Sequence, residues 1–446
     1  MKKSVVAVVT YEQPVASVRK AVELANGPSM FKSGARVFIK PNIVFWNKHY
    51  PIPKYGAITT SRVVEDTINL LKECGIDDIT VGEGTVINKP KVKGLQEHAF
   101  ETLGYNALKK KYGIKTMNVF ERPFKKVDLG EGMTLNFSED ILNADLIVDI
   151  PALKTHGQTT VSLGLKNLKG TIDIASRKKC HSTDPVKDLN YWVSRIYEPM
   201  PPIFTIIDGI YSLELGPGFE GRARRSNLLI ASTDVLSADM AGAKALGFEP
   251  NQVPHLVHAA EKRNRPMDFS DVDILGEPLD TVSSPHRIEY DYTNNGELPA
   301  YLAKYGVEGI SWRNPGSTMC TYCTGFTSPV LTNIVSNWKG KAFDDVEVLT
   351  GKDLKPTPGK KKTVLLGKCI YQANKDDPDI QEMYAEKGCP PSEKGIIRAL
   401  QQAGIPVDDN LFEIYDSTIM PILSRRYTRK PEEFQESFFT IQENTP

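Results

Sequence analysis

Cysteine is scarce in this chain, with six in 446 residues, too few for the disulfide scaffold of a small secreted protein. Long apolar runs are also missing. No stretch of about 18 apolar residues occurs, so no membrane-spanning helix is expected. The start, Met1-Lys2-Lys3 followed by Ser4–Val9, is too short in its apolar part for a secretory leader. It also lacks a small-residue cleavage site, and it reads as a first strand. Net charge is absent: 55 basic and 55 acidic side chains cancel. That balance argues against a broad nucleic-acid footprint. There is no Gly-x-x-x-x-Gly-Lys-Ser/Thr loop, which leaves a P-loop nucleotide site unsupported. The expected setting is a reducing cytoplasm.

At 40% hydrophobic residues the chain can build two or three cores. Apolar runs and helical spacings alternate over roughly the first 280 residues. Ser4–Val9, Arg36–Ile39, Asp78–Val81, Leu146–Ile150, Phe204–Asp208 and Asn227–Ala231 read as strands. Val15–Ala25, Ser61–Cys74 and Leu236–Leu246 read as helices. The expected fold class is α/β, a mostly parallel sheet with helices on both faces. Prolines and Asn294-Asn295-Gly296 weaken the pattern between Phe269 and Pro315. Beyond it come a helix at Val330–Trp338, a strand at Thr363–Leu366 and a helix after Pro391. The tail from Phe434 reads as polar and frayed. The expected division is an α/β domain over 1–285 and a smaller α+β, cysteine-bearing domain over 286–446.

Ligands of open parallel sheets bind beyond the carboxyl ends of the strands. The strand ends carry Lys40 and Asn42, Glu83 (in Gly82-Glu83-Gly84-Thr85), Lys154 and His156, and Asp208. The densest stretch runs from Lys154-Thr155-His156-Gly157 to Lys166-Asn167-Leu168-Lys169-Gly170. Lysines beside glycine-rich backbone suit a carboxylate or phosphate. We therefore expect Lys40, Asn42, Lys166, Asn167, Lys169 and Arg222 to bind a small anion. His156, Lys154, Glu83 and Asp208 are the candidates for moving protons. Gly216-Pro217-Gly218-Phe219-Glu220-Gly221 matches G-x-G-x-x-G literally. It neither leaves a clean strand nor opens a helix, so it is not read as a dinucleotide fingerprint. A glycine-rich loop leading into Arg222, Arg224 and Arg225 still suits an anion.

Four of the six cysteines fall in the last third. Cys320 and Cys323 form a C-x-x-C pair, Cys369 follows Gly367-Lys368, and Cys389 lies in Gly388-Cys389-Pro390-Pro391. Four thiols suit an iron–sulfur cluster or a zinc ion. The prolines suit a helix's first turn, which would put Cys389 at a helix N-terminus, where the dipole favours a thiolate. The Gly-Cys-Pro-Pro string resembles a cluster-ligand segment in the small subunits of respiratory complex I and related hydrogenases. A [4Fe–4S] cluster is the expected cofactor, with zinc as the alternative. Cys74 reads as helix-end packing before a capping glycine, and Cys180 as a free thiol on a polar loop.

Ile39-Lys40-Pro41-Asn42, Gly82-Glu83-Gly84, Lys154-Thr155-His156, Leu165–Gly170 and Ile207-Asp208-Gly209 occur in this order. Together they resemble the domain-of-unknown-function family 362 over roughly residues 1–250. The resemblance implies an iron–sulfur association, because many members carry ferredoxin-type cysteine motifs. Here the compact C-x-x-C-x-x-C-x-x-x-C-P run is missing, so a cluster has to be built from the dispersed cysteines. A more distant likeness is to the lactate racemase family, which handles small hydroxy acids; its metallocofactor motifs are unmatched. The combined expectation is an iron–sulfur oxidoreductase or lyase of an anaerobic type of metabolism, acting on a small anionic substrate. The alternatives are a redox-silent isomerase or racemase-like enzyme holding zinc, and an electron-carrier or binding module. A redox partner protein and a homodimer are compatible with any of these.

Overall fold

The computed structural model describes residues 3–84, 93–288 and 292–441. Its strands are β1 (Ser4–Thr10), β2 (Val37–Pro41), β3 (Ile79–Glu83), β4 (Lys115–Asn118), β5 (Phe124–Asp128), β6 (Thr134–Ser138), β7 (Leu146–Ile150), β8 (Ala152–His156), β9 (Thr160–Ser162), β10 (Ile203–Glu214), β11 (Arg222–Ser232) and β12 (Val272–Gly276). All but the β5–β6 hairpin join one 10-stranded sheet, ordered β12-β1-β11-β10-β7-β2-β3-β4, with β8 and β9 attached beside β10. Its middle is parallel: β10, β7, β2, β3 and β4 pair in one direction.

Period-two alternation loads both faces of this sheet. Ala7, Val9, Val37 and Ile39 enter one core, with the helices Ala16–Leu24 and Ser61–Glu73. Val6, Val8 and Phe38 enter the other, with the helices Val235–Ala245 and Pro254–Lys262. The α/β class with helices on both faces is therefore observed. Thr60 caps the helix Ser61–Glu73, accepting the Val63 N–H, and Cys74 with Gly75 closes it as expected.

A second, separate sheet holds β13 (Ile310–Ser311), β14 (Val346–Leu349), β15 (Lys362–Leu366) and β16 (Glu382–Glu386). Its four strands are all parallel. The helices Thr321–Asn337 and Glu393–Gln402 help fill its own core. The chain then returns: the helix Leu411–Thr428 and the segment to Ile441 pack Tyr415, Leu423, Tyr427, Phe434 and Phe439 into the core of the large sheet. Phe439 is fully buried.

Several expectations need correction. The tail is not frayed through Ile441, because its aromatic rings seat against Tyr55 and Tyr211. Residues 442–446, and Thr85 of the expected strand-end motif, lie outside the described residues. Arg222, Arg224 and Arg225 are not on a loop. They pair across an antiparallel ladder with Glu214, Ser212 and Tyr211. The helix read from Val330 begins at Thr321. Cys180 is fully buried as the last residue of the helix Ile174–Cys180, and burial pushes its thiol up to about 11. Pro390 and Pro391 precede the cap Ser392 of the helix Glu393–Gln402. Cys389 thus stands three residues ahead of that cap.

Candidate functional site

β2 and β3 are neighbours, so their carboxyl ends bring Lys40 and Glu83 together. Lys40 Nζ donates to Glu83 Oε2 at 2.8 Å, to the Pro41 carbonyl at 2.7 Å and to Asn167 Oδ1 at 3.3 Å. Glu83 also accepts the N–H of Ile43 at 2.9 Å and of Gly84 at 2.7 Å. The two side chains are 0% and 3% exposed. Gly170 lies directly over them, since a Cβ there would come within 2.4 Å of Lys40 Cε and 2.7 Å of Glu83 Oε1. Both functional groups are thus saturated by the protein itself. Glu83 and Lys40 fasten strand ends and loops, and Asn167 joins them by donating to the Lys40 carbonyl at 3.0 Å.

Asp208 has a similar task. It accepts the N–H of Thr60 at 2.6 Å and of Ile210 at 3.1 Å, tying the Ser61 helix cap to β10. Burial pushes its carboxyl up to about 6. Asn42 exchanges bonds with Thr59 and donates its Nδ2 to the Ala57 carbonyl. Arg222 is exposed at the start of β11, opposite Glu214, and does not join the Lys40 group. A feature the sequence reading missed is Asp149 on β7, beside Lys40 in register. One oxygen accepts Asn167 Nδ2 at 2.8 Å, while Oδ2 is buried without a partner. Asp239 accepts the N–H of Gly164 and Leu165, and burial pushes it up to about 7. Nothing in the apolar run Leu146–Ile150 marks Asp149 except the single carboxylate inside it.

A second group of side chains faces the smaller sheet. Lys154 is 1% exposed and donates to the carbonyls of Ala57 at 2.8 Å and Pro217 at 3.4 Å. Burial lowers its amine to about 7. Lys169 falls to about 8, again mainly through burial, and Lys166 falls well below its ordinary value through burial and the charges of Lys169 and Lys154. Both are half-buried as residues. Among the described residues none of the three lysines forms an ion pair with a carboxylate. His156 sits among them, held neutral by burial and then by Lys166 and Lys154. Its Nδ1 accepts the Gln158 N–H at 3.0 Å, so its proton is on Nε2 and it is a hydrogen-bond donor. His181, absent from the sequence candidates, completes the set. Its Nδ1 donates to the Ser317 carbonyl at 2.8 Å, and its Nε2 accepts Lys169 Nζ at 2.8 Å.

These bonds lead directly to the cysteines. Gln158 Nε2 donates to the carbonyls of Gly316 and Met319, next to Cys320. Lys178 Nζ lies 3.2 Å from Cys389 Sγ and 4.7 Å from the centre of the Tyr322 ring. Lys352 donates to the carbonyls of Lys178 and His181. Cys320 is the N-cap of the helix Thr321–Asn337. The Cys323 thiol and the N–H groups of Tyr322 and Cys323 lower it to about 5. The helix-terminal position expected for Cys389 is thus held by Cys320. Cys369 is the second residue of the helix Lys368–Asn374 after β15, and Cys389 follows β16. The Lys368 N–H bonds the Gly388 carbonyl at 2.9 Å, which sets those two segments side by side. The charges of Cys369 and Cys389 both act on Cys323, and Gly367 lies against Cys323, its Cβ position 3.3 Å from the Sγ.

Four thiols from distant positions thus share one neighbourhood, edged by Lys178 and Lys352. Among the described residues no three His, Cys, Asp or Glu groups close on a single metal ion. Zinc, with bonds of about 2.3 Å, needs its four sulfurs about 3.8 Å apart. A cubane binds each thiolate through a different iron and spreads them wider. An all-thiol donor set is one that a four-iron cluster or a zinc ion can take.

A thylakoid-associated protein of Synechocystis sp., sll1697, is 29% identical over 253 residues, covering 56% of this chain and 74% of that protein. The lactate racemase apoprotein from Thermoanaerobacterium thermosaccharolyticum overlaps 55% of this chain and 57% of its own length, with 12% identity and a TM-score of 0.32. Among the described residues no helix is long and apolar enough to cross a membrane. Residues 37–244, the segment that holds Lys40, Glu83 and the lysine–histidine group, match the model of the family described as Domain of unknown function (DUF362).

Proposed function

We propose that this protein is an iron–sulfur enzyme, an oxidoreductase or lyase acting on a small carboxylate or phosphate. The anion is held where the lysine–histidine group meets the four cysteines. The observation that supports this most is the shared boundary. Among the described residues Lys154, Lys166 and Lys169 crowd together without a carboxylate counter-ion, and Lys178 and His181 join their surroundings to the thiols. Unbalanced buried cations favour an anionic ligand. Cys320, Cys323, Cys369 and Cys389 would hold a [4Fe–4S] cluster, which when bound supplies one-electron transfer or an open Lewis-acidic iron.

The chain's own groups divide the remaining work. Lys169, with an amine near 8, attracts the anion, and Lys166 beside it donates to it. His156 donates its Nε2 proton in a hydrogen bond to a substrate oxygen. Lys154, with an amine near 7, is suited to take or give a proton at neutral pH. His181 fixes Lys169 and hands its own Nδ1 proton to Ser317 in a hydrogen bond. Glu83 and Asp208 are positioning residues rather than proton carriers. A reducing cytoplasm suits such a cluster, and a small redox protein suits its electron supply.

The test compares two variants purified without oxygen. Cys320→Ser is expected to lose visible absorption and iron while residues of the large sheet stay folded. His156→Ala is expected to keep iron and colour but bind sulfate at least about tenfold more weakly, the loss of one good hydrogen bond to a charged group. Colourless wild-type protein carrying zinc would instead favour a redox-silent acid–base enzyme. Retained anion binding in His156→Ala would remove the cleft assignment.

A further inference from the structure

The Gly216–Gly221 loop, which fails as a dinucleotide fingerprint, forms one wall of a cavity of about 190 Å³. Phe45, Trp46, Phe219, Tyr415 and Met420 line it, together with residues of the helix Thr321–Asn337. Phe219, Tyr415 and Met420 are buried, and Phe45 meets Phe219 edge to face at 6.2 Å. An apolar cavity of about 150 Å³ accepts a benzene ring, so this one has room for a single ring and a small substituent. The lining is also polar in part, with Glu220, Asp416, Asn47 and His49 among its residues. Pro329 stands inside the helix Thr321–Asn337 and lacks an N–H, so the carbonyl of Gly325, four residues earlier, has no α-helical partner. Gly325 and Pro329 both line the cavity. Convergent aromatic walls with a few polar groups among them are the usual make-up of a small-molecule site.

We propose that this cavity binds a one-ring aromatic compound bearing a hydrogen-bond donor, of the phenol or aniline type, with the donor directed at the Gly325 carbonyl. The site adjoins both halves of the chemistry described above. The Pro217 carbonyl on its loop wall accepts from Lys154, and Thr324 on its helix wall follows Cys323. A substrate with an aromatic body can therefore lie within reach of the proton-carrying amine. The assignment stands on the cavity alone and holds whichever metal the cysteines take.

The test is a titration of the full chain with phenol, followed by tryptophan fluorescence and by calorimetry. The expected result is saturable binding with Kd below about 1 mM, a reasonable affinity for so small a ligand. Benzene is expected to bind about fivefold or more weakly for want of the donor. Trp46→Phe should abolish most of the fluorescence change and leave the calorimetric signal. Ser328→Phe, or Met420→Trp from the opposite side, fills the cavity and should remove binding by both methods. No saturable response up to about 10 mM, or unchanged binding in both filling variants, overturns the proposal. Neither outcome depends on metal content, so failure here is separate from failure of the cluster assignment.

Discussion

Glu83→Gln separates a positioning role from a catalytic one. In the native protein the Glu83 carboxylate satisfies three donors: Lys40 Nζ at 2.8 Å and the N–H groups of Ile43 and Gly84 at 2.9 and 2.7 Å. Glutamine keeps the shape but replaces one acceptor oxygen by an NH₂ group, which must face one of those donors. The Lys40 ammonium, 0% exposed, then keeps only carbonyl-type partners at 2.7 and 3.3 Å. Breaking a buried ion pair from one side costs about 3–5 kcal/mol. At about 2–4 °C per kcal/mol for a unit of this size, the melting temperature is expected to fall by roughly 6–20 °C. Scanning calorimetry reads that fall directly. An apolar swap of both partners, Lys40→Met with Glu83→Leu, should not restore stability. It leaves the Ile43 and Gly84 amides unpaired at about 1–3 kcal/mol each. A Glu83→Gln protein that melts like the wild type yet has lost turnover would refute this reasoning and return Glu83 to the proton-transfer step.

Gly170→Ala drives a methyl group to within 2.4 Å of Lys40 Cε and is expected to destabilise by about 1–3 kcal/mol; an unchanged urea midpoint would show that the pair can yield. Sulfate binding is expected to weaken as pH rises through about 7 to 8, where Lys154 and Lys169 lose their protons; a flat calorimetric profile from pH 6 to 9 would speak against these two as anion ligands. The same lysines sit below the 10.5 of the unfolded chain, which therefore holds more protons between about 7 and 10.5. Their contribution to stability accordingly rises with pH over that window, and a fall in the urea midpoint in Lys154- and Lys169-dependent comparisons would contradict the sign. Lys178→Met removes the ammonium 3.2 Å from Cys389 and should make the potential of a bound cluster more negative, with an unchanged midpoint in redox titration as the opposing result.

Much of the large sheet was legible because its central strands are buried on both faces and read as continuous apolar runs, as in Leu146–Ile150 and Val37–Ile39. The strand-end rule also located Lys40, Glu83 and His156 at the carboxyl ends of β2, β3 and β8, whereas Lys154 lies within β8 and Asp208 midway along β10, which runs on to Glu214. What the sequence did not separate was role. Glu83 and Asp208 look like acids on strand ends, but only spatial neighbours reveal that backbone N–H groups already occupy them. His181 was missed because it lies in a polar stretch whose partners, Lys169 and Ser317, are 12 and 136 positions away. The arginines after Gly221 were read as a loop, since a charged run carries no strand period. The ladder with Glu214, Ser212 and Tyr211 overrides that. Cys180 was misread for a related reason: its neighbours Arg177, Lys178 and Lys179 are charged, while the thiol itself points into the core.

The central claim is a cluster on Cys320, Cys323, Cys369 and Cys389, and metal content tests it most directly. Iron, acid-labile sulfide and zinc are measured per chain on protein purified without oxygen. The expected result is about four irons and four sulfides with a brown visible spectrum, lost in Cys320→Ser. About one zinc with no sulfide and no colour would contradict it.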